Sequence, residues 1–324
     1  MRAMLFEEYG GPEKLVIKEI PVPEPGDGEV RVRVRAFGIN RAETYMRRGA
    51  WGDVVRVSGI ECVGEVDFDP SGALRQGQKV AAIMGGLGRT RNGSYAEYTC
   101  VPSTNIFRLE TKLPWDELAA LPESFATAWV CLFENLKLAN EHVLAVRGGT
   151  SALGQAALNI AADAGATVLA STRSELKSTL LKKLGASVVL IEDASLSDAV
   201  RKLYPNGVDA VLDLVGNTVL RDSLRMLKKG GRLCQAGFLG GPQPVEFNPI
   251  FDMPSGTDLT FFGSFVLGTA DYPLSNIPMQ RIVDSAAKGT YRAKPVKVFP
   301  FEHVPDAHRL MESNQANGKI VVVM

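Results

Sequence analysis

The residues whose types and spacing could do chemistry lie mainly between positions 146 and 177 of this 324-residue chain. An apolar run at 143–146 leads into Gly148-Gly149-Thr150-Ser151-Ala152-Leu153-Gly154. Read from Gly149, the register is Gly149-x-Ser151-x-x-Gly154, a dinucleotide fingerprint with serine where the middle glycine usually stands. Glycines in such a turn let the backbone approach a pyrophosphate, whose charge then sits on the free N–H groups opening a helix. About 20 residues further on, an Asp or Glu would grip the ribose of NAD; this chain has Ser171-Thr172-Arg173 there, and Lys177 one helical turn later. A hydroxyl, a guanidinium and an ammonium suit a 2′-phosphate, so the spacing points to NADPH, with NADH the lesser alternative. The plain reading is a tight strand-to-helix turn followed by two solvated cations.

Such a turn works only if the elements around it position it. Leu153, Ala156, Ala157, Ile160, Ala161 and Ala164 recur at helical spacing, and Gly165-Ala166 closes that helix before a buried-type strand at 167–170. The alternation then continues with strands at 188–191, 208–214, 231–237 and 259–265 and helices at 174–184, 195–203 and 218–227. Strands separated by helices imply a parallel sheet with right-handed crossovers. Upstream, residues 1–118 predict many short strands, among them the alternating segment Glu29-Val30-Arg31-Val32-Arg33-Val34-Arg35, and hence a barrel-like β domain. Helices are expected at 115–121 and 125–138. Downstream, a helix at 277–287 and strands at 296–301 and 319–323 are read as returning to the first domain. The class is α/β: a doubly wound parallel sheet inserted into a β-barrel domain.

Composition narrows the function. Lys plus Arg and Asp plus Glu are both 36, so nothing favours nucleic acid or an anionic membrane surface. No apolar run reaches a membrane span and the N-terminus carries no signal pattern, so the expected location is cytoplasmic. Cys62, Cys100, Cys131 and Cys234 form no C-x-x-C pair, and with His142, His303 and His308 they give no metal-ligand spacing. No metal is expected, and the cysteines read as small buried hydrophobes.

Six segments together carry a resemblance: AFGINRAETYMRRGAW (36–51), GIECVGEV (59–66), GSYAEY (93–98), VRGGTSALGQAALNIA (146–161), VDAVLDLVG (208–216) and GKIVVV (318–323). In these the chain resembles the medium-chain dehydrogenase/reductase superfamily, in its zinc-free quinone oxidoreductase (zeta-crystallin-like) branch. The resemblance implies a Rossmann domain at 119–269 inside a GroES-like substrate domain formed by 1–118 and 270–324. Zinc-dependent members carry a Cys and a Gly-His-Glu where this chain has Ile39-Asn40 and Gly59-Ile60-Glu61, which again implies no metal. It further implies that Asn40, Tyr45 and Trp51 line the substrate cleft, with Tyr45 or Asn40 the hydrogen-bond donor to the acceptor. Thr127, Phe265 and Val266 would face or border the nicotinamide, Phe238 would lie near the ribose, and Gly216 would join the glycine turn in the cofactor set. Two departures stand out. Ser151 replaces a glycine, and its hydroxyl is expected to reach a phosphate; Glu192 stands where relatives place a tyrosine and would repel a 2′-phosphate if it pointed there.

The implied reaction is hydride transfer from NADPH to a quinone or other conjugated carbonyl. The alternatives are an alkenal or enoyl-thioester reductase, with Arg41, Arg47, Arg48, Arg89 and Arg91 as a basic rim, or an NADPH-binding sensor with little turnover. The strand at 259–265, as a sheet edge, would pair across a two-fold axis in a homodimer.

Overall fold

The computed structural model describes residues 1–193 and 195–324. The chain divides into two compact units, one of Met1–Ala126 with Ser264–Met324 and the other of Thr127–Gly263. The sequence-based boundaries, 118/119 and 269/270, differ from these by eight and six residues.

The first unit is built on strands. β1 (Arg2–Phe6) and β2 (Leu15–Glu19) form an antiparallel pair. β3 (Glu29–Ile39) is the long central strand: Val30, Val32 and Val34 are buried while the arginines between them face outward, as the alternation requires. Helix α1 (Arg41–Arg47) follows at once, then β4 (Glu61–Phe68), β5 (Lys79–Ile83), β6 (Tyr98–Pro102) and β7 (Ile106–Arg108). β4 and β6 both pair antiparallel with β3. Short helices α2 (Trp115–Leu118) and α3 (Pro122–Trp129) lead out of the strands. The single helix expected over 125–138 is α3 followed by a wider-pitched turn at Val130–Asn135.

In the second unit, β8 (Val143–Arg147), α4 (Ala152–Asp163), β9 (Thr167–Thr172), α5 (Ser178–Lys183), β10 (Val188–Ile191), α6 (Leu196–Leu203), β11 (Val208–Asp213), α7 (Leu220–Arg225), β12 (Leu227–Gln235), α8 (Pro249–Asp252) and β13 (Asp258–Phe261) succeed one another. All sheet pairings are parallel, in the order β10-β9-β8-β11-β12-β13. That is the 3-2-1-4-5-6 order of a dinucleotide-binding sheet, whose strand order reverses beside its first strand. Ala145, Leu169, Val211, Leu224 and Leu233 are among the buried side chains of its core.

The chain then returns to the first unit through α9 (Met279–Ala287), β14 (Lys297–Pro300), α10 (Val304–Glu312) and β15 (Ile320–Val323). β15 pairs antiparallel with β3, Ile320 opposite Ile39 and Val322 opposite Phe37, and β14 lies parallel to β15. Phe301, Val304, Ile320 and Val322 thereby join Phe6, Val32, Phe37 and Tyr95 in one core. The C-terminal strand extends the sheet of the first 126 residues beyond β3, with β14 at its edge.

Candidate functional site

The glycine turn joins β8 to α4. Gly148 sits at φ 89°, a left-handed backbone natural only to glycine. A Cβ on Gly154 would meet the Gly148 carbonyl oxygen at 2.5 Å, so glycine is what lets α4 lie against the turn. Ser151 is the helix N-cap: its Oγ accepts from the Gly154 N–H at 3.1 Å and donates to the Gly148 oxygen at 2.9 Å. The serine hydroxyl is therefore spent on shaping the turn. The N–H groups of Ala152 and Leu153 open α4 without a preceding helical carbonyl to bond, which leaves donors for an anion. A bare backbone cradle followed by free N–H groups fits a dinucleotide pyrophosphate.

Behind the turn lies a buried ionic knot. Arg147, only 1% exposed, ends β8. Its guanidinium donates to Glu192 at 2.7 Å, to Asp222 at 2.7 Å and to the Ser223 hydroxyl at 3.1 Å. Glu192 also accepts from the Ser171 hydroxyl at 2.6 Å, and the same hydroxyl accepts from the Gly148 N–H at 3.1 Å. Both Glu192 oxygens are thus committed inward. Ser171, read from the sequence as a 2′-phosphate ligand, instead ties Glu192 to the turn. Asp213, at the end of β11, accepts from the Gly216 N–H at 2.8 Å and the Ser223 hydroxyl at 2.7 Å, and burial raises its carboxyl above the usual range. Thr172 exchanges hydrogen bonds with the backbone of Ser174. Arg173 is exposed and Lys177 half-buried, with no salt bridge to any described residue.

In the first unit, α1 presents Tyr45. Its ring lies 5.6 Å from that of Trp51, and its hydroxyl bonds none of the described residues. The Trp51 ring in turn lies 5.3 Å from the Arg89 guanidinium carbon, which stands 5.1 Å from the Phe265 ring. The loop carrying Phe265 and Val266 is pinned to the strands by Asn105, whose side-chain amide donates to the Leu267 oxygen at 2.8 Å and to the Ile83 oxygen at 3.0 Å.

Asn40 is differently placed. Its Nδ2 donates to Glu61 at 2.8 Å and its Oδ1 accepts from Lys319 Nζ at 2.7 Å. Lys319 is ion-paired to the same Glu61 carboxylate, with both groups at most 5% exposed. Beneath them Glu43 accepts from the Asn40 N–H at 2.7 Å, the Ile60 N–H at 3.0 Å and the Tyr95 hydroxyl at 2.8 Å. Tyr95 meets His308 Nε2 at 2.9 Å, and Arg47 Nε donates to His308 Nδ1 at 3.3 Å. Burial pushes the Glu43 carboxyl up to about 7. Burial, with the Arg47 charge beside it, pushes His308 down to about 3.

Two family profiles match this chain: "Alcohol dehydrogenase GroES-like domain" over residues 26–111 and "Zinc-binding dehydrogenase" over residues 152–279. Together they span more than half of it. The chain belongs to the medium-chain dehydrogenase/reductase superfamily. Within that superfamily it falls on the quinone oxidoreductase branch and is a quinone oxidoreductase-like enzyme. The quinone oxidoreductase of Homo sapiens is 28% identical over 344 residues, covering 100% of this chain and 98% of that protein. A mycobacterial protein crystallised with NADPH superposes with a TM-score of 0.88 at 25% identity, covering 100% of both chains. The Escherichia coli quinone oxidoreductase, also an NADPH complex, has a TM-score of 0.88 at 21% identity and 100% coverage of both chains, a likeness of fold.

For this member of the superfamily, the expected site residues fall into two sets. Thr127, Gly149, Thr150, Ser151, Ala152, Leu153, Gly154, Ser171, Thr172, Arg173, Lys177, Gly216 and Phe238 lie in the second unit. Asn40, Tyr45, Trp51, Phe265 and Val266 lie in the first. The sequence reading missed Arg147 with its two carboxylates, and the Glu43–Tyr95–His308 chain. For Arg147 a signal existed: it stands opposite Asp213 in the β8–β11 register, a charge at the strand end next to a second charge. The thiols of Cys62 and Cys100 are pushed up to about 12 and about 11 by burial, the behaviour of inert side chains. No helix among the described residues is long and apolar enough to cross a membrane.

Proposed function

We propose that this enzyme is a zinc-independent, NADPH-dependent reductase of quinones or other conjugated carbonyl compounds. The observation that carries the cofactor choice is the commitment of Glu192 to Arg147 and Ser171 while Arg173 and Lys177 stay without a carboxylate partner. A carboxylate gripping a free 2′-hydroxyl is the usual mark of NAD preference, and cations in its place suit a 2′-phosphate. The Gly149–Gly154 cradle and the N-terminus of α4 would hold the pyrophosphate. Bound there, NADPH supplies the hydride.

The rest of the chemistry belongs to this chain's side chains. When hydride reaches a conjugated carbon, negative charge gathers on the acceptor oxygen, and one well-aimed donor stabilises it. Tyr45 has its hydroxyl free for that task. Asn40 has both ends of its amide engaged with Glu61 and Lys319, so its part is to fix the start of α1 and with it Tyr45. The same three groups support work without zinc. An ammonium has no lone pair for a metal and it neutralises the nearest carboxylate, so an amide, a carboxylate and an ammonium do not fit a zinc site. Four free thiols suit a reducing, cytoplasmic compartment. A homodimer through the open edge of β13 completes the reading.

The test replaces Arg173 and Lys177 together by alanine. NADPH binding should weaken by on the order of a hundredfold while NADH changes little. Equal loss for both cofactors, or none, removes the 2′-phosphate assignment. Following NADPH absorbance with a panel of ortho- and para-quinones and alkenals identifies the acceptor class; binding without turnover of any of them would leave only a cofactor-binding protein.

A further inference from the structure

Of the five arginines that could form a basic rim, four are already engaged. Arg41 donates to the Met311 oxygen and to Asn314, Arg47 is buried against Glu312 and His308, Arg48 pairs with Glu312, and Arg91 pairs with Glu29. Arg89 has no side-chain hydrogen bond or ion pair to any described residue. It is nonetheless held. Its backbone N–H donates to Gly86 and its carbonyl accepts from Val55, each at 3.0 Å, and its guanidinium carbon lies over both the Trp51 and the Phe265 rings. Trp51 is 41% and Phe265 53% exposed, yet each contributes a face to one cation. Two neighbouring rings restrain a guanidinium that keeps its N–H groups unspent on any described residue. A guanidinium fork matches the paired oxygens of an oxyanion, and this one stands one ring away from Tyr45.

We propose that Arg89 is the specificity-determining residue for the acceptor: it selects conjugated carbonyl compounds that also carry an oxyanion, such as a carboxylate or sulfonate. This rests on the reductase reading above. The apolar faces of Trp51 and Phe265 meet the flat conjugated part of such a molecule, and Arg89 takes its charged end.

The experiment has a binding arm and a turnover arm. In the first, calorimetry compares 1-naphthoate with its neutral isostere 1-naphthamide on wild type, Arg89→Gln and Arg89→Lys. Wild type should prefer naphthoate by on the order of tenfold to a hundredfold, the range of a charge-assisted hydrogen-bond pair. Arg89→Gln should reduce that preference to about twofold or less, with Arg89→Lys between them because it keeps the charge and loses the planar fork. In the second arm, the ratio of kcat/KM for 1,2-naphthoquinone-4-sulfonate to that for 1,2-naphthoquinone should fall by a similar factor in Arg89→Gln. A preference that survives Arg89→Gln, or a wild type without any, overturns the proposal. Should wild type reduce neither quinone, the reductase reading falls, and the naphthoate preference alone decides the role of Arg89.

Discussion

Tyr45 and Asn40 stand five residues apart, and what separates them is how much hydrogen-bonding capacity each has left. A free phenol beside a ring can stabilise a developing oxyanion, so Tyr45→Phe should lower kcat/KM for every acceptor by about tenfold to a hundredfold. The KM for NADPH should stay unchanged, and steady-state kinetics with both substrates checks the pair. An unchanged kcat/KM would leave Tyr45 a shaping residue. Lys319 calls for a different measurement. Its ammonium neutralises a Glu61 carboxylate that is fully buried. Lys319→Met would strand that charge and should cost about 3–5 kcal/mol, read from denaturant midpoints. The residue-level legibility of the site follows the same division. Glycine, serine and the cations at 171–177 show themselves in sequence because their roles are local. Ser171 reads in sequence as a 2′-phosphate ligand and Glu192 as a carboxylate that would repel one if it pointed there, since only the fold brings Arg147 against Glu192 and Glu192 against Ser171. The Asn40–Glu61–Lys319 set joins the cap of α1, the start of β4 and the residue before β15, a juxtaposition no short motif records.

α1 and α10 are linked by Arg47, His308, Tyr95 and Glu43, with Glu312, Arg48, Glu13, Glu61 and Lys319 also charged and acting on this chain. Arg47 donates to His308 Nδ1, so neutral His308 carries its proton on Nε2, toward Tyr95, whose hydroxyl donates to Glu43. His308 sits at about 3 in the folded protein against an ordinary 6.5. The unfolded chain therefore binds the extra proton between those values, and stability is lost as pH falls through that window. Glu43, raised to about 7 from 4.5, acts in the opposite sense, losing stability as pH rises through its own window. Comparing wild type with His308→Gln isolates the histidine, since Glu43 is common to both. The stability advantage of wild type should grow by about 1.4 kcal/mol per pH unit between pH 4 and 6.5 and be flat above it. A pH-independent difference in urea midpoints would show that His308 is not held neutral by its surroundings. Helix α10 itself escaped the sequence reading for the same reason. Its inner face is Val304, Ala307 and His308, and a buried histidine does not register as an apolar position. The α/β alternation was legible almost to the residue, as at Val188–Ile191, because parallel strands covered on both faces are continuous apolar runs. At Gly154 the turn and helix meet so closely that Gly154→Ala should push α4 from Gly148, weakening cofactor binding by tenfold or more in a fluorescence titration.

At the scale of the whole molecule the open question is what covers the sheet's free edge. The six-stranded sheet ends on β10 at one side and β13 at the other. β10 is mostly half-buried, whereas Asp258, Leu259 and Phe261 of β13 are exposed, and Ile250 and Phe251 of the same unit are 84% and 79% exposed. An apolar strand edge left open is a template for another strand. Closed two-fold pairing satisfies it without running on into filaments, because each copy offers the same edge and uses it up. With equal numbers of acidic and basic residues the chain carries no net charge to hold copies apart. Wild type should therefore sediment as a dimer at micromolar concentration. Leu259→Lys places two ammonium groups across the axis, and should give a monomer with unchanged circular dichroism and intact NADPH binding, since Leu259 is no part of the phosphate turn. A monomeric wild type would sink the edge-pairing arrangement. A Leu259→Lys variant that stays dimeric would move the interface elsewhere, and the exposed apolar groups of β13 and α8 would then need another partner.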